Sequence, residues 1–268
     1  MPYQNTPFSF CQKLIELYEK YNRFNSFIEG DNNIYYFDIM QKLINDVKLK
    51  NGISINTKHE YELFLYTYLC EKTFGAIANI DLVFVDEFQD YANIELEMYS
   101  NIYPGVTFNL YGDFLQCINI KGMKSTKDLP QFTLGFDTHN ISVNYRNSLE
   151  ITEYVNTMLK TDMTPVGISG TVKTVNRNDI DLSCISSKST AFILSDENLL
   201  NLSFTDSNLI KVIINSEDSL SDDKINLLPI SLSKGLEFET VFVFDEKMSD
   251  NEKYVAYTRA WKNLYIVN

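Results

Sequence analysis

Between Leu82 and Asp90 the chain reads Leu-Val-Phe-Val-Asp-Glu-Phe-Gln-Asp, an apolar run that passes into an acidic pair and then an amide and a further carboxylate. Such a run, with β-branched Val83 and Val85, reads as a buried strand delivering carboxylates at its C-terminal end, the edge where open α/β sheets place their chemistry. A carboxylate there, Asp86, can hold a Mg²⁺ that bridges phosphate oxygens, and its neighbour Glu87 can position or deprotonate a water. An ordinary strand ending in a polar turn explains the same residues equally well, so the rest of the chain has to decide.

The pattern recurs. Val106 to Leu110 reads as a second strand that ends in Tyr111-Gly112-Asp113-Phe114-Leu115-Gln116, again an Asp with an amide side chain three residues on. Two neighbouring strand ends then offer Asp86, Glu87, Asp113 and Gln116 to one crevice, which tips the reading towards function. Further along, Arg146 lies within Ile141–Asn147, just ahead of a helix whose N-cap candidate is Ser148. A guanidinium fork so placed suits phosphate, whereas a surface or interface ion pair explains an isolated Arg as well.

The elements that must position these residues follow from periodicity. Apolar residues recur at three and four over Phe8–Phe27, Ile34–Leu49 and Glu60–Phe74, so residues 1–80 read as a helical segment with aromatic core faces. Residues 81–140 carry the two acidic strand ends and a surface loop from 121 to 140. Across 141–268 a helix from Ser148 to Leu159, strands at Gly170–Val175, Thr190–Leu194 and Leu209–Ile214, and a short helix at Glu197–Leu202 alternate. An acidic solvated stretch, Ser216–Lys224, precedes a strand at Val241–Phe244, a helix carrying Tyr254–Trp261 and a last strand at Leu264–Val267. Alternation of this kind predicts an α/β fold with mostly parallel sheets.

Composition sets the outer bounds. With 44% hydrophobic residues and only 10 Gly and 6 Pro, the chain reads as folded and neither disordered nor a solenoid. Net charge is −13 and the isoelectric point about 4.6, opposite to what phosphate-dominated affinity requires, so nucleic-acid binding needs a local basic strip. Cys11, Cys70, Cys117 and Cys184 form no C-x-x-C pair and only His59 and His139 accompany them, which argues against a zinc site or disulfide framework. No leader-like opening and no apolar run of bilayer length is present, so a reducing, cytoplasmic setting is expected.

Five segments together resemble the motifs of UvrD/Rep-type superfamily 1 DNA helicases, in that family's order: V-D-E-F-Q-D at 85–90, G-D-F-L-Q at 112–116, N-Y-R-N at 144–147, K-G-L-E-F at 234–238 and V-A-Y-T-R-A at 255–260. The resemblance implies RecA-like, P-loop NTPase-type lobes, a partial first lobe at 81–140 and a second at 141–268, with ATP and Mg²⁺ between them and single-stranded DNA across their surface. By that resemblance Asp86 holds Mg²⁺, Glu87 activates water, and Gln89 and Gln116 sense the terminal phosphate. Tyr145 stacks on adenine, Arg146 and Arg259 act as arginine fingers, and Glu237 contacts the ribose or phosphate side. Gly235 and Asp113 join the nucleotide-binding set. For DNA, Tyr257, Trp261 and Lys262 beside Arg259 offer a stacking platform, with Trp261 packed under the last strand as the equal alternative.

The chain also departs from that family. No G-K-[ST] occurs, so the loop that wraps phosphates with backbone N–H groups is missing. The fifth motif's His falls on Ser231 and a Thr on Pro229, and Ile214 to Ile230 leaves no room for the second lobe's insertion. The expectation is a minimal, N-terminally incomplete helicase core. Three accounts follow: a half whose phosphate loop comes from a partner polypeptide, a non-catalytic scaffold for DNA or protein, or a fragment without a role of its own, against which Met1-Pro2-Tyr3 reads as an ordinary start. A Mg²⁺-dependent nuclease built on Asp86, Glu87, Asp90 and Asp113 is the alternative enzyme.

Overall fold

The computed structural model describes residues 80–268 apart from 104, 121 and 196–207. The helices expected at 8–27, 34–49, 60–74 and 197–202 lie outside the described residues. Contacts divide the chain into two compact units, one holding the described residues up to Phe114 with Asn119–Phe136, the other Leu115–Ile118 with Asp137–Asn268. Among the described residues no helix is long and apolar enough to cross a membrane.

In the first unit β1 (Leu82–Val85) pairs in parallel with β2 (Thr107–Leu110), Val85 opposite Leu110, and α1 (Asn93–Ile102) connects them. Parallel strands need such a crossover, and α1 answers it from a stretch whose acidic character hides its periodicity. Its start is tied by Glu95, whose carboxylate accepts the Ala92 N–H at 2.6 Å, meeting one of the donors a helix start leaves unmet. Val85, Phe88, Leu96, Phe108 and Met123 form the core. One expectation is corrected here. Leu82 and Phe84 are 54% and 63% exposed, so β1 buries Val85 but is not a buried strand throughout.

The second unit is built on a six-stranded, wholly parallel sheet in the order β5 (Thr171–Val175), β10 (Ala260–Val267), β9 (Phe238–Phe244), β6 (Thr190–Leu194), β8 (Ile225–Pro229), β7 (Ile210–Val212). β3 (Val143–Asn144) and β4 (Thr164–Pro165) form a separate parallel pair. Side chains alternate across the large sheet as a pleat requires. Ala191, Ile193, Val241, Val243 and Leu264 pack with α2 (Leu149–Leu159), α3 (Ile230–Ser233) and α4 (Asp250–Thr258) on one face, while Phe192, Leu194, Phe242, Phe244 and Val267 form a second core on the other. Both faces of β6 and β8 are therefore buried, the reason such strands read as unbroken apolar runs. The protein is α/β with parallel sheets, the layering expected of RecA-like lobes.

The helices begin where side chains can satisfy them. Ser148 Oγ accepts the Ile151 N–H at 3.3 Å at the head of α2, and Ser249 with Glu252 caps α4 reciprocally. The sequence reading missed β8, because Asn226 and Pro229 interrupt a short apolar run beside a solvated stretch. Asn226 is nevertheless buried, its amide hydrogen-bonded to both main-chain groups of Ser221. Trp261 lies on β10 and not on the preceding helix, since the chain turns at Arg259 and pairs at once with β9 through Ala260 and Phe238.

Candidate functional site

In the first unit the acidic residues sit at the carboxyl ends of β1 and β2. Asp86 is exposed, and its Oδ1 accepts the Glu87 N–H at 2.9 Å. Glu87 holds a left-handed backbone (φ 50°, ψ 41°), a conformation that costs a non-glycine residue on the order of 1 kcal/mol or more and persists only where surrounding bonds impose it. Those bonds are visible: Phe88 N–H donates to Tyr111 O at 3.0 Å and Tyr111 N–H to Val85 O at 2.8 Å.

Gln89 ties the two strand ends together. It is fully buried, its Nε2 donates to the Glu87 carboxylate, and its Oε1 accepts the Asp113 N–H at 3.0 Å. Its main-chain carbonyl accepts the Met123 N–H at 2.8 Å. The amide thus joins the two strand ends and orients the Glu87 carboxylate. Gly112 makes this possible, because a Cβ there would stand 2.1 Å from Gln89 Oε1 and 2.8 Å from Phe88 Cδ1.

Among the described residues no group of three or more His, Cys, Asp or Glu side chains is arranged to hold a metal, and Asp86, Glu87, Asp90 and Asp113 are all described. A single exposed carboxylate still fits Mg²⁺ of the kind that takes one or two protein oxygens and completes its shell with phosphates and water.

The second unit gathers its residues at the opposite, amino-terminal end of its strands. Glu237 immediately precedes β9 and Arg259 immediately precedes β10. Arg146 Nε lies 2.8 Å from Glu237 Oε1, and both side chains are 46% exposed. Such an exposed pair adds little stability, so its consequence is orientation of the guanidinium. Beside it Tyr145 is 74% exposed. Gly235, in the turn that leads to Glu237, has φ 80°, and nothing lies within 4 Å of the position a Cβ would take; backbone conformation, not space, calls for glycine here.

Arg259 is 1% exposed. Its Nε donates to Val255 O at 3.0 Å, Nη1 to Leu236 O at 3.3 Å, and Nη2 to Thr258 Oγ1 at 3.3 Å and Gln116 Oε1 at 3.5 Å. Gln116 thus associates with Arg259 in the second unit, while Asp86, Glu87 and Asp113 belong to the first. In this conformation the Arg259 guanidinium is buried among three carbonyl oxygens and the Thr258 hydroxyl.

The residues expected to form a DNA platform differ in their exposure. Tyr257 is 1% exposed, stacks edge-on against Tyr154 and donates from its hydroxyl to Asp245 Oδ2 at 2.6 Å. Burial, then the hydrogen bond to Asp245, pushes its pKa strongly upward. With Tyr257 and Arg259 enclosed, only half-buried Trp261 and Lys262 remain, Nζ of Lys262 lying 5.8 Å from the indole centre but also 2.9 Å from Glu239 Oε1.

Sequence reasoning passed over Asn144 and Asn147. Asn144 Oδ1 accepts the N–H groups of Arg146 and Asn147 at 3.1 and 3.2 Å, the local turn that Asn-x-x favours, and the buried Asn147 reaches across to the segment around Arg259. The Asn-x-x-Asn spacing was the available signal.

No family model and no curated protein matches this sequence. Solved structures that it resembles are helicases. The helicase of PRRSV superposes with a TM-score of 0.45 at 14% identity, over 73% of this chain and 36% of that one. The arterivirus nonstructural protein 10 helicase in complex with DNA gives 0.45 at 16%, over 69% and 39%. The C-terminal domain of a possible DNA helicase from Lactobacillus plantarum WCFS1 gives 0.33 at 24%, over 46% and 86%. The chain spans well under half the length of the first two. At these identities and TM-scores the likeness assigns no role to any residue.

Proposed function

We propose that this chain is part of a UvrD/Rep-like superfamily 1 helicase core, a nucleotide-facing module whose phosphate loop is supplied by another polypeptide segment. The observation that carries the reading is the meeting of 144–147 with 234–238 on one surface: exposed Tyr145 beside an Arg146 whose guanidinium is held by Glu237. An aromatic face next to an oriented guanidinium suits a nucleobase and its phosphates. In this reading Glu87, whose backbone is left-handed and whose carboxylate Gln89 holds, would position a water, and Asp86 would hold Mg²⁺. When bound with ATP, that ion neutralises phosphate charge. Without the loop the remaining contacts give weak affinity.

A second reading is favoured by Arg259, whose guanidinium is enclosed among carbonyls. In it the chain is a non-catalytic scaffold that binds a protein, or single-stranded DNA weakly and with strong salt dependence given the net charge of −13.

Saturation-transfer NMR on MgATP with the purified chain separates the two. Saturation of the adenine protons that disappears in Tyr145→Ala supports the nucleotide module. Absence of adenine saturation at millimolar MgATP sinks it in favour of the scaffold.

A further inference from the structure

Asn147 directly follows Arg146 and is 2% exposed. Its Nδ2 donates to the carbonyls of Thr258 at 3.0 Å and Ala260 at 2.7 Å, the residues on either side of Arg259. Its Oδ1 accepts from Asn144 Nδ2 at 2.9 Å, so both amide hydrogens and the oxygen are engaged.

Those two carbonyls need a side-chain partner for physical reasons. Thr258 ends α4, where a helix leaves its last carbonyls without intrahelical donors, and Ala260 precedes the register shift between β10 and β9 that runs to Asn263. A buried carbonyl without a donor is costly, and one carboxamide serves both. The link does not stop there. Arg259 Nη1 binds Leu236 O, and Leu236 adjoins Glu237, which holds Arg146. Starting from Arg146, the connections run through Glu237 and Leu236 to Arg259, then through Thr258 and Ala260 to Asn147, and return to Arg146.

We infer that Asn147 is a positioning residue: it couples the Tyr145–Arg146 turn to the Arg259 segment, so that a nucleoside triphosphate engaging Tyr145 and Arg146 is felt at Arg259. The ligand rests on the nucleotide reading above; the positioning itself does not.

The test uses the full chain labelled with ¹⁵N and reads the Nε–H resonance of Arg259. In Asn147→Ala, with Asn147→Ser as the milder change should the first not fold, solvent exchange of that proton accelerates by about 10-fold, the factor for roughly one net hydrogen bond. Amide exchange at Phe192, central in the large sheet, stays as in the parent chain. Unchanged Arg259 exchange in a folded variant overturns the positioning role. On addition of MgATP the parent chain shows adenine saturation and a shift of the Arg259 resonance. In Asn147→Ser the Arg259 shift is lost even at MgATP concentrations that restore the parent level of adenine saturation. Persistence of that shift overturns the coupling. If the parent chain shows no adenine saturation, the nucleotide reading fails and the ligand-free exchange alone decides whether Asn147 positions Arg259.

Discussion

Replacement of Gly112 by alanine isolates the contact that organises the acidic strand ends. The new Cβ would meet Gln89 Oε1 at 2.1 Å and Phe88 Cδ1 at 2.8 Å, far inside van der Waals contact. Gln89 has no room to retreat, because it is fully buried and its main-chain carbonyl is fixed by Met123. Relief requires the Gln89 amide to leave Asp113 N–H and the Glu87 carboxylate. Overpacking of this kind costs roughly 1–3 kcal/mol and each of the two lost hydrogen bonds about 1 kcal/mol, so the first unit should lose roughly 3–5 kcal/mol. Hydrogen exchange of β1 and β2 amides, Tyr111 above all, measures the loss. The emission of Trp261, the chain's single tryptophan, serves as a control for the second unit during urea unfolding. A double-mutant cycle sharpens the test: in a Gln89→Ala background the Gly112→Ala penalty should fall by half or more, because Oε1 is gone. Additive penalties, or a Gly112→Ala loss below about 0.5 kcal/mol, would refute the steric argument.

Gly235→Ala makes the opposite case, since space is open but φ is 80°; a loss of about 1 kcal/mol from backbone strain alone is expected in urea unfolding followed by Trp261. Tyr257 carries a pH signature. Its folded pKa is raised above the ordinary value of 10.0, so its contribution is fully present below about pH 10 and declines as pH rises beyond it. Tyr257→Phe should therefore flatten the alkaline limb of the stability–pH curve while costing about 1 kcal/mol at neutral pH through the lost bond to Asp245. Arg146→Ala should change stability by less than about 1 kcal/mol, as exposed pairs do, yet weaken MgATP saturation transfer. Phe192→Ala, which empties a site lined by Phe242 and Phe244, should cost roughly 3–5 kcal/mol.

The sequence alone determined the parts whose causes are local. β1, β2, β6 and the latter half of β9 are legible because an apolar, β-branched or aromatic run admits few other fates, and α2 because Ser148 caps an inward face at Ile151 and Val155. The amide and carboxylate residues at strand ends were legible for the same reason, as positions. What each side chain faces was not. Gln89, Tyr257 and Arg259 are buried because residues distant in sequence close over them and complete their hydrogen bonds, and no local spacing encodes that. β8 became a strand only because β6 and β7 flank it and both of its faces are covered. The pairing of Arg146 with Glu237, and the reach of Asn147 to both sides of Arg259, likewise exist only once β9 and β10 lie side by side. Residue type and spacing name the groups available for chemistry; burial and long-range hydrogen bonding, which depend on the whole packed sheet, select which of them are held inward and which are presented.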